Sequence, residues 1–413
     1  LFPSFPSVDI QEFGIIITTT DWPMTALTLH RIRCRSFLVW IEYDRLAQSG
    51  KRHSPYAAAE TRVCADLIFR VREGGMIVVW RITQRCNLCC PFCAYDRRMT
   101  WARRDAEVET IQRFGVVLAD YQRLTGDRVL VSWIGGEPFL FPGLSRLTVF
   151  FASELGLRVS ATTNGTTLGS AAVRDHVLAH YSELTVSVDG IGDVHDTLRS
   201  WPAGYATLRR SVGQLAESKR AANRGPRLRA NVVLMRQTIA AFEPLCLELA
   251  DWGIEEITFN QLGGRDRPEF FPTHRLRPDQ TAWLQNLVPH LRDRLAGLGV
   301  RLAGTAAYLH RIQASSRDEA IPVADCRPGE QFLFVNEVGS AAPCSFTSSD
   351  YGVSLAELDC VQALLELPSR FARARRERRL SPCEDCHSTQ VFEKFSADRD
   401  SATKTQPIDC GKR

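Results

Sequence analysis

The chain has 413 residues, a net charge of +4, and 44% hydrophobic and 24% charged residues, a globular balance that excludes a disordered or low-complexity protein. That charge is too small to argue for nucleic acid, and no apolar run is long enough to span a bilayer, so neither kind of partner is expected. Thirteen cysteines, clustered rather than spread as a disulfide framework, argue for metal binding in a reducing compartment. With no signal-peptide pattern in the first residues, the cytoplasm is expected.

Residues 1–75 read as an N-terminal extension of unknown role, with a Thr run, scattered Pro and a helix-like piece from Phe37 to Leu46. It is either an accessory domain for substrate or an extension upstream of a start at Met76. Cys34 and Cys64 match no motif, and Cys34 reads as a packed thiol.

From Met76 the pattern alternates. β-rich apolar runs fall at Ile77 to Ile82, Val129 to Ile134, Arg158 to Thr163, Leu184 to Val188, Leu228 to Leu234 and Glu256 to Asn260. Between them, Arg103 to Leu124, Thr167 to His180, Tyr205 to Asn223 and Ile239 to Trp252 carry apolar residues at three and four spacing, as amphipathic helices do. Six strands with helical crossovers predict right-handed βαβ units and a parallel sheet, doubly wound or closing toward a barrel. In a barrel, the residues at the carboxyl ends of strands face the active site.

The chemistry begins at the end of the first of these strands, in Cys86-Asn-Leu-Cys89-Cys90-Pro-Phe-Cys93-Ala-Tyr95. Thiolates bind soft metals and iron–sulfur clusters. Cys86, Cys90 and Cys93 form CxxxCxxC, which leaves one iron of a four-iron cluster open. The same stretch also contains two CxxC pairs, Cys86 with Cys89 and Cys90 with Cys93, each compatible with structural zinc. Downstream, Gly135-Gly136-Glu137-Pro138 follows the second strand, Asn164 ends the third, and Ser187-Val188-Asp189-Gly190 ends the fourth, before His195 and Arg199. Asn231 and Asn260-Gln261 stand at or after later strands. A second set follows: Cys326, then Gly339 and Cys344, then Cys383-Glu-Asp-Cys386. The β-like run Gln331 to Val338 would let a hairpin return Cys344 to Cys326. On spacing alone the four thiolates also suit zinc.

In this order, the motifs resemble the radical SAM superfamily across residues 76 to 390. The resemblance implies a partial (β/α)6 TIM-type barrel in residues 76–265, a bridge in 266–322, and a cysteine-rich subdomain in 323–392 similar to the twitch form of the SPASM extension, before a tail in 393–413. It further implies a [4Fe-4S] cluster on Cys86, Cys90 and Cys93 whose open iron binds S-adenosylmethionine. The methionine amino group would meet the Gly135, Gly136, Glu137, Pro138 turn. Asn164, Ser187 and Arg199 would contact the cofactor too, with Asp189 either joining them or capping its own turn. Cys326, Cys344, Cys383 and Cys386 would hold one auxiliary [4Fe-4S] cluster, leaving Cys360 and Cys410 unassigned.

The expected activity is reductive cleavage of S-adenosylmethionine followed by hydrogen abstraction from substrate, most simply the oxidative modification of a ribosomally made peptide. The alternative substrate is a small molecule, an aminocyclitol or sugar. A redox-neutral outcome would need a thiol to return hydrogen, with Cys246 and Cys360 as mid-chain candidates. An electron donor such as flavodoxin or ferredoxin is the implied partner. A reading from another class makes the cysteines purely structural ligands in a non-enzymatic zinc or iron–sulfur protein. The basic run Arg370 to Arg379 reads as a solvated helix face, and the sequence singles out no catalytic acid or base.

Overall fold

The computed structural model describes residues 75–388 and, ahead of them, three strands. Residues 1–70 and 71–413 form two compact units. In the first, β1 (Ile16–Thr19), β2 (Leu27–Cys34) and β3 (Phe37–Asp44) make an antiparallel sheet in the order β1-β2-β3. The helix expected at Phe37 to Leu46 is therefore a strand. Its sequence FLVWIEYD is rich in β-branched and aromatic residues, and that preference for a pleated surface outweighs the helix-like spacing.

The second unit is built on one ten-stranded sheet. Its strands are β4 (Met76–Thr83), β5 (Val129–Gly135), β6 (Arg158–Thr163), β7 (Glu183–Ser187), β8 (Arg227–Leu234), β9 (Glu256–Gln261), β10 (Arg301–Leu302), β11 (Phe332–Val335), β12 (Ser340–Ala342) and β13 (Val353–Ser354). The spatial order is β10-β9-β8-β7-β6-β5-β4-β11-β12-β13. All neighbours from β10 to β11 are parallel, and β11, β12 and β13 pair antiparallel.

The six expected strands are β4 to β9. Their crossover helices include Val108–Thr125, Ala171–His180, Gly204–Ala222 and Phe242–Asp251. Alternate residues of β4, namely Val78, Trp80 and Ile82, are fully buried. Trp80 meets Phe114 of the first helix edge-on, with ring centroids 5.7 Å apart. Burial of this apolar face against the helices is the main term holding the sheet to its outer layer. At the strand starts, Glu256 pairs with Arg229 at 2.5 Å and Arg301 at 3.1 Å, and Glu183 pairs with Arg158 at 2.9 Å and Arg229 at 3.0 Å.

Two of the expected regions contribute strands to this sheet. The bridge, 266–322, supplies helix Pro278–Ala296 and the short parallel strand β10, so it extends the sheet past six strands. The cysteine-rich C-terminal region is likewise continuous with it. β11 lies parallel to β4, with Phe332 opposite Ile77 and Val335 opposite Trp80, and the expected hairpin is β11–β12.

Candidate active site

The carboxyl ends of β4 to β9 carry the polar motifs, and the turn after β5 fixes the start of the cysteine loop. Gly136 N–H donates to Thr83 carbonyl at 2.9 Å, and Glu137 N–H to Arg85 carbonyl at 2.7 Å. A Cβ on Gly135 would lie 2.1 Å from the Thr83 oxygen, and one on Gly136 would lie 2.1 Å from the Arg85 oxygen. These glycines admit a neighbouring backbone. Glu137, 0% exposed, accepts from Thr163 Oγ1 and Asn164 N–H, both at 2.7 Å, and from Phe139 N–H at 3.2 Å. Burial pushes its carboxyl up to about 7 against those donors. Its carboxylate thus ties β5 to β6.

The three spaced thiols share one electrostatic environment. Burial pushes Cys90 up to about 12 and Cys93 up to about 11; each feels Cys86, and Arg199 opposes the rise. Asn164 Nδ2 approaches Cys86 Sγ at 3.8 Å and donates to Asn87 Oδ1 at 2.9 Å. Tyr95 N–H points at Cys93 Sγ at 3.4 Å, and the Cys90 thiol faces the Arg199 carbonyl at 3.8 Å. Cys89 stands apart, its sulfur meeting Arg97 Nε at 3.1 Å on the exposed side. Among the described residues, no three Cys, His, Asp or Glu are gathered to hold a single metal ion. Cys90 is buried and Cys86 and Cys93 are half-buried, with N–H groups directed at the sulfurs of the latter two, and these three thiols fit the donor set of a cluster.

Arg199 ends helix Asp193–Arg199 and is nearly buried. Burial alone would lower its pKa, but Asp189, Cys90 and Cys93 reverse that and raise it. Its guanidinium pairs with Asp189 Oδ2 at 2.6 Å and lies 5.5 Å from the Phe92 ring. Asp189 also accepts from Val233 N–H at 2.8 Å, so it joins β7 to β8 rather than capping its own turn. His195 is buried and accepts from Asp189 N–H at 3.3 Å, its pKa lowered by burial to about 3. Ser187 stands opposite Asn231 at the end of β7, and Asn231 Oδ1 accepts from Thr258 and Asn260, each at 3.0 Å. A small apolar cluster of Leu198, Met235 and Leu262, with Phe92, Phe270 and Phe271 against it, lies beside this group. It is assembled from four separate segments and has no local sequence signal.

The second cysteine set also converges. Cys326, Cys344, Cys383 and Cys386 line one cavity with Tyr351 and Phe371. Burial pushes Cys326 up to about 11, Arg375 opposes this, and the other three cysteines add to it. Cys344 Sγ is 3.3 Å from Thr347 Oγ1. Part of the basic run is not simply solvated. Arg375 donates to the carbonyls of Val323 and Ala324, and Arg379 to those of Val323 and Cys383, which pins the loop before Cys326. Arg370, Arg373 and Arg376 are exposed, as expected. Cys246 is buried in the core and Cys360 is exposed. Cys34, Cys64 and Cys410 fall outside the described side chains.

Sequence reading missed the contacts between the two cysteine regions. Glu337, just after β11, pairs with Arg81 of β4 at 2.5 Å and accepts from Gln84; Arg81 also donates to Tyr95 OH at 3.0 Å. From the segment after β9, Arg267 reaches Asp96 at 3.2 Å and Arg265 reaches the Phe346 carbonyl at 3.4 Å.

Thiols in CxxxCxxC spacing thus stand at the carboxyl end of an open parallel sheet, the end that carries the active site in α/β barrels. The family comparison is narrower: residues 80–223 match the Radical SAM superfamily and form a radical SAM domain. An AdoMet-dependent heme synthase of Methanosarcina barkeri is 22% identical over 294 residues, spanning 65% of this chain and 76% of that protein. A PqqA peptide cyclase of Rhizobium meliloti is 25% identical over 229 residues, spanning 54% of this chain and 57% of its own length. Among solved structures, SuiB of Streptococcus suis bound to precursor peptide SuiA superposes with a TM-score of 0.57 at 16% identity, covering 84% of this chain and 78% of that one. That likeness concerns the fold. Among the described residues, no helix is long and apolar enough to cross a membrane.

Proposed function

We propose that this radical SAM enzyme oxidatively modifies a ribosomally made peptide, with a second, auxiliary [4Fe-4S] cluster in a twitch-like region at 323–392. The observation that carries the reading is the cavity where Cys326, Cys344, Cys383 and Cys386 converge, on strands that continue the sheet bearing the first cysteine loop. Four protein ligands leave no open iron, which suits electron transfer better than substrate binding. The peptide substrate draws support from the cyclase relative and from the peptide-bound structural neighbour.

Cys86, Cys90 and Cys93 would hold the first cluster, with S-adenosylmethionine beside Gly135, Gly136, Glu137, Pro138, Asn164, Ser187 and Arg199. When bound, these groups would supply a 5'-deoxyadenosyl radical able to abstract hydrogen from an unactivated carbon. The chain's own contribution is placement. Arg199, locked by Asp189, would present a fixed positive charge beside the thiolates and favour their ionised, ligating form. Asn164 steadies Cys86 through its approach to the sulfur and its bond to Asn87. Phe92, Leu198, Met235 and Leu262 would keep water from the reacting centre. Ten free cysteines among the described residues fit a reducing compartment, the cytoplasm, and an electron donor of the flavodoxin or ferredoxin kind is needed.

The test is iron and sulfide content of anaerobically prepared protein, with 5'-deoxyadenosine release on reduction. About eight irons, falling to about four when Cys326, Cys344, Cys383 and Cys386 are replaced by Ala, supports both clusters. About four irons in the parent protein, unchanged in the variant, removes the auxiliary cluster. The heme synthase relative favours a second reading, oxidation of a small molecule. Mass spectrometry of a candidate precursor peptide after turnover separates the two: a hydrogen-depleted or crosslinked peptide supports the first, and an unmodified one supports the second.

A further inference from the structure

The cysteine loop has two sides. One faces the strand ends, and the other runs out along residues 94–104 to the protein surface. Between Arg85 and Asp105 the sequence places five arginines against two aspartates, and both aspartates already have partners. Asp96 is buried against Arg98 at 2.6 Å and Arg267 at 3.2 Å, while Asp105 meets Arg85 at 3.2 Å and Thr83 Oγ1 at 2.6 Å. Arg97 points at Cys89 sulfur instead of a carboxylate. Arg103 donates to main-chain carbonyls of Gln84, Tyr95 and Asp96 and lies 4.9 Å from the Trp101 ring. The side chain of Arg104 is exposed. Positive charge therefore remains at this edge, interleaved with Met99 and Trp101, 39% and 37% exposed. Exposed methionine and tryptophan among arginines are the residue types that carry protein interfaces.

We propose that the edge formed by Arg97, Met99, Trp101 and Arg104 is the docking surface for an acidic, low-potential electron-carrier protein. The proposal rests on the reading that Cys86, Cys90 and Cys93 hold a reducible cluster. That cluster must be reduced by one electron before it can cleave S-adenosylmethionine, the carrier gives up that electron, and this edge continues directly from the cysteine loop. Arg97 touches the sulfur of Cys89, the neighbour of Cys90. Charge complementarity steers encounter and makes it sensitive to salt, while the apolar side chains supply close contact. The other basic stretch, Arg370 to Arg379, lies on the helix Val361–Glu377 and just beyond it, beside the second cysteine set, and serves as the internal control.

The experiment measures binding of a flavodoxin to the anaerobically iron-loaded protein, and the rate at which its reduced form reduces the protein, each across ionic strength. The double variant Arg97→Glu with Arg104→Glu is expected to weaken binding and slow reduction about tenfold or more at low salt, and to flatten the salt dependence. Reduction by dithionite, too small to need docking, stays at the parent rate, and Arg97→Lys with Arg104→Lys retains carrier binding. Unchanged binding and reduction in the Glu variant would overturn the proposal. So would an equal loss from Arg373→Glu with Arg376→Glu, since that would reflect net charge alone. Failure of the underlying cluster reading shows separately, as a protein that takes up no iron and that dithionite does not reduce.

Discussion

Asp96 and Gly136 illustrate how single residues hold the cysteine loop in place. Burial pushes the Asp96 carboxyl up, but hydrogen bonds from Arg98 and Arg267 more than reverse this and set it at about 2. A carboxylate depressed in the folded state contributes stability above its unfolded pKa and loses it as pH falls through the folded value. Asp96→Asn is therefore expected to cost on the order of 2 kcal/mol at pH 7. In denaturant unfolding, the gap to the parent protein should close as pH falls from about 4 toward 2. Gly136→Ala would drive a methyl group into the Arg85 carbonyl, so reconstituted iron should drop well below the parent level. Gly169→Ala, whose added Cβ meets open space, should load normally. The cysteines and the Gly-Gly-Glu turn were legible in the sequence because their chemistry permits few other residues. The glycines' true neighbours were not, because a backbone contact between two loops leaves no mark on residue type beyond the glycines themselves.

Elements were legible in proportion to their length. Strands β4 to β9 carry enough alternation or apolar density to be read directly, whereas β10, with two residues, offers no period at all. The strand Phe37–Asp44 was misjudged because its six apolar and aromatic residues satisfy both periods, and the deciding partner, β2, lies elsewhere in the chain. The ion pairs at the strand starts were equally invisible, since they join residues on different strands. Glu256 is 1% exposed and bound by Arg229 and Arg301. Glu256→Gln leaves these guanidiniums short of a charge and should cost about 3 kcal/mol in unfolding free energy. Because the strand starts are the end of a barrel that serves stability, iron content should not change. An equal loss of iron would mean that the two ends of the strands are not separable.

For the whole molecule, the C-terminal cysteine region is continuous with the sheet. A polypeptide ending before residue 323 would leave the β4 edge without β11. An unpaired edge beside so much apolar surface is an aggregation site. Such a truncation is expected to elute as aggregate in size-exclusion chromatography, whereas a chain beginning at Val71, the boundary between the two compact units, should remain monodisperse. A soluble, iron-loading fragment lacking 323–413 would contradict the continuous sheet.

The pairing of Arg81 with Glu337 spans 256 positions, and β4 shares its ladder with a strand made equally late. During synthesis, the loop that carries Cys86 therefore leaves the ribosome long before the strand that completes its support. Until then, its thiols hang from a half-paired strand, open to oxygen and to stray metals. Contacts so distant in sequence also form slowly. Yield of active enzyme in a producing cell should accordingly depend on how slowly translation runs through the stretch between β5 and β11, and on what shields the nascent thiols meanwhile.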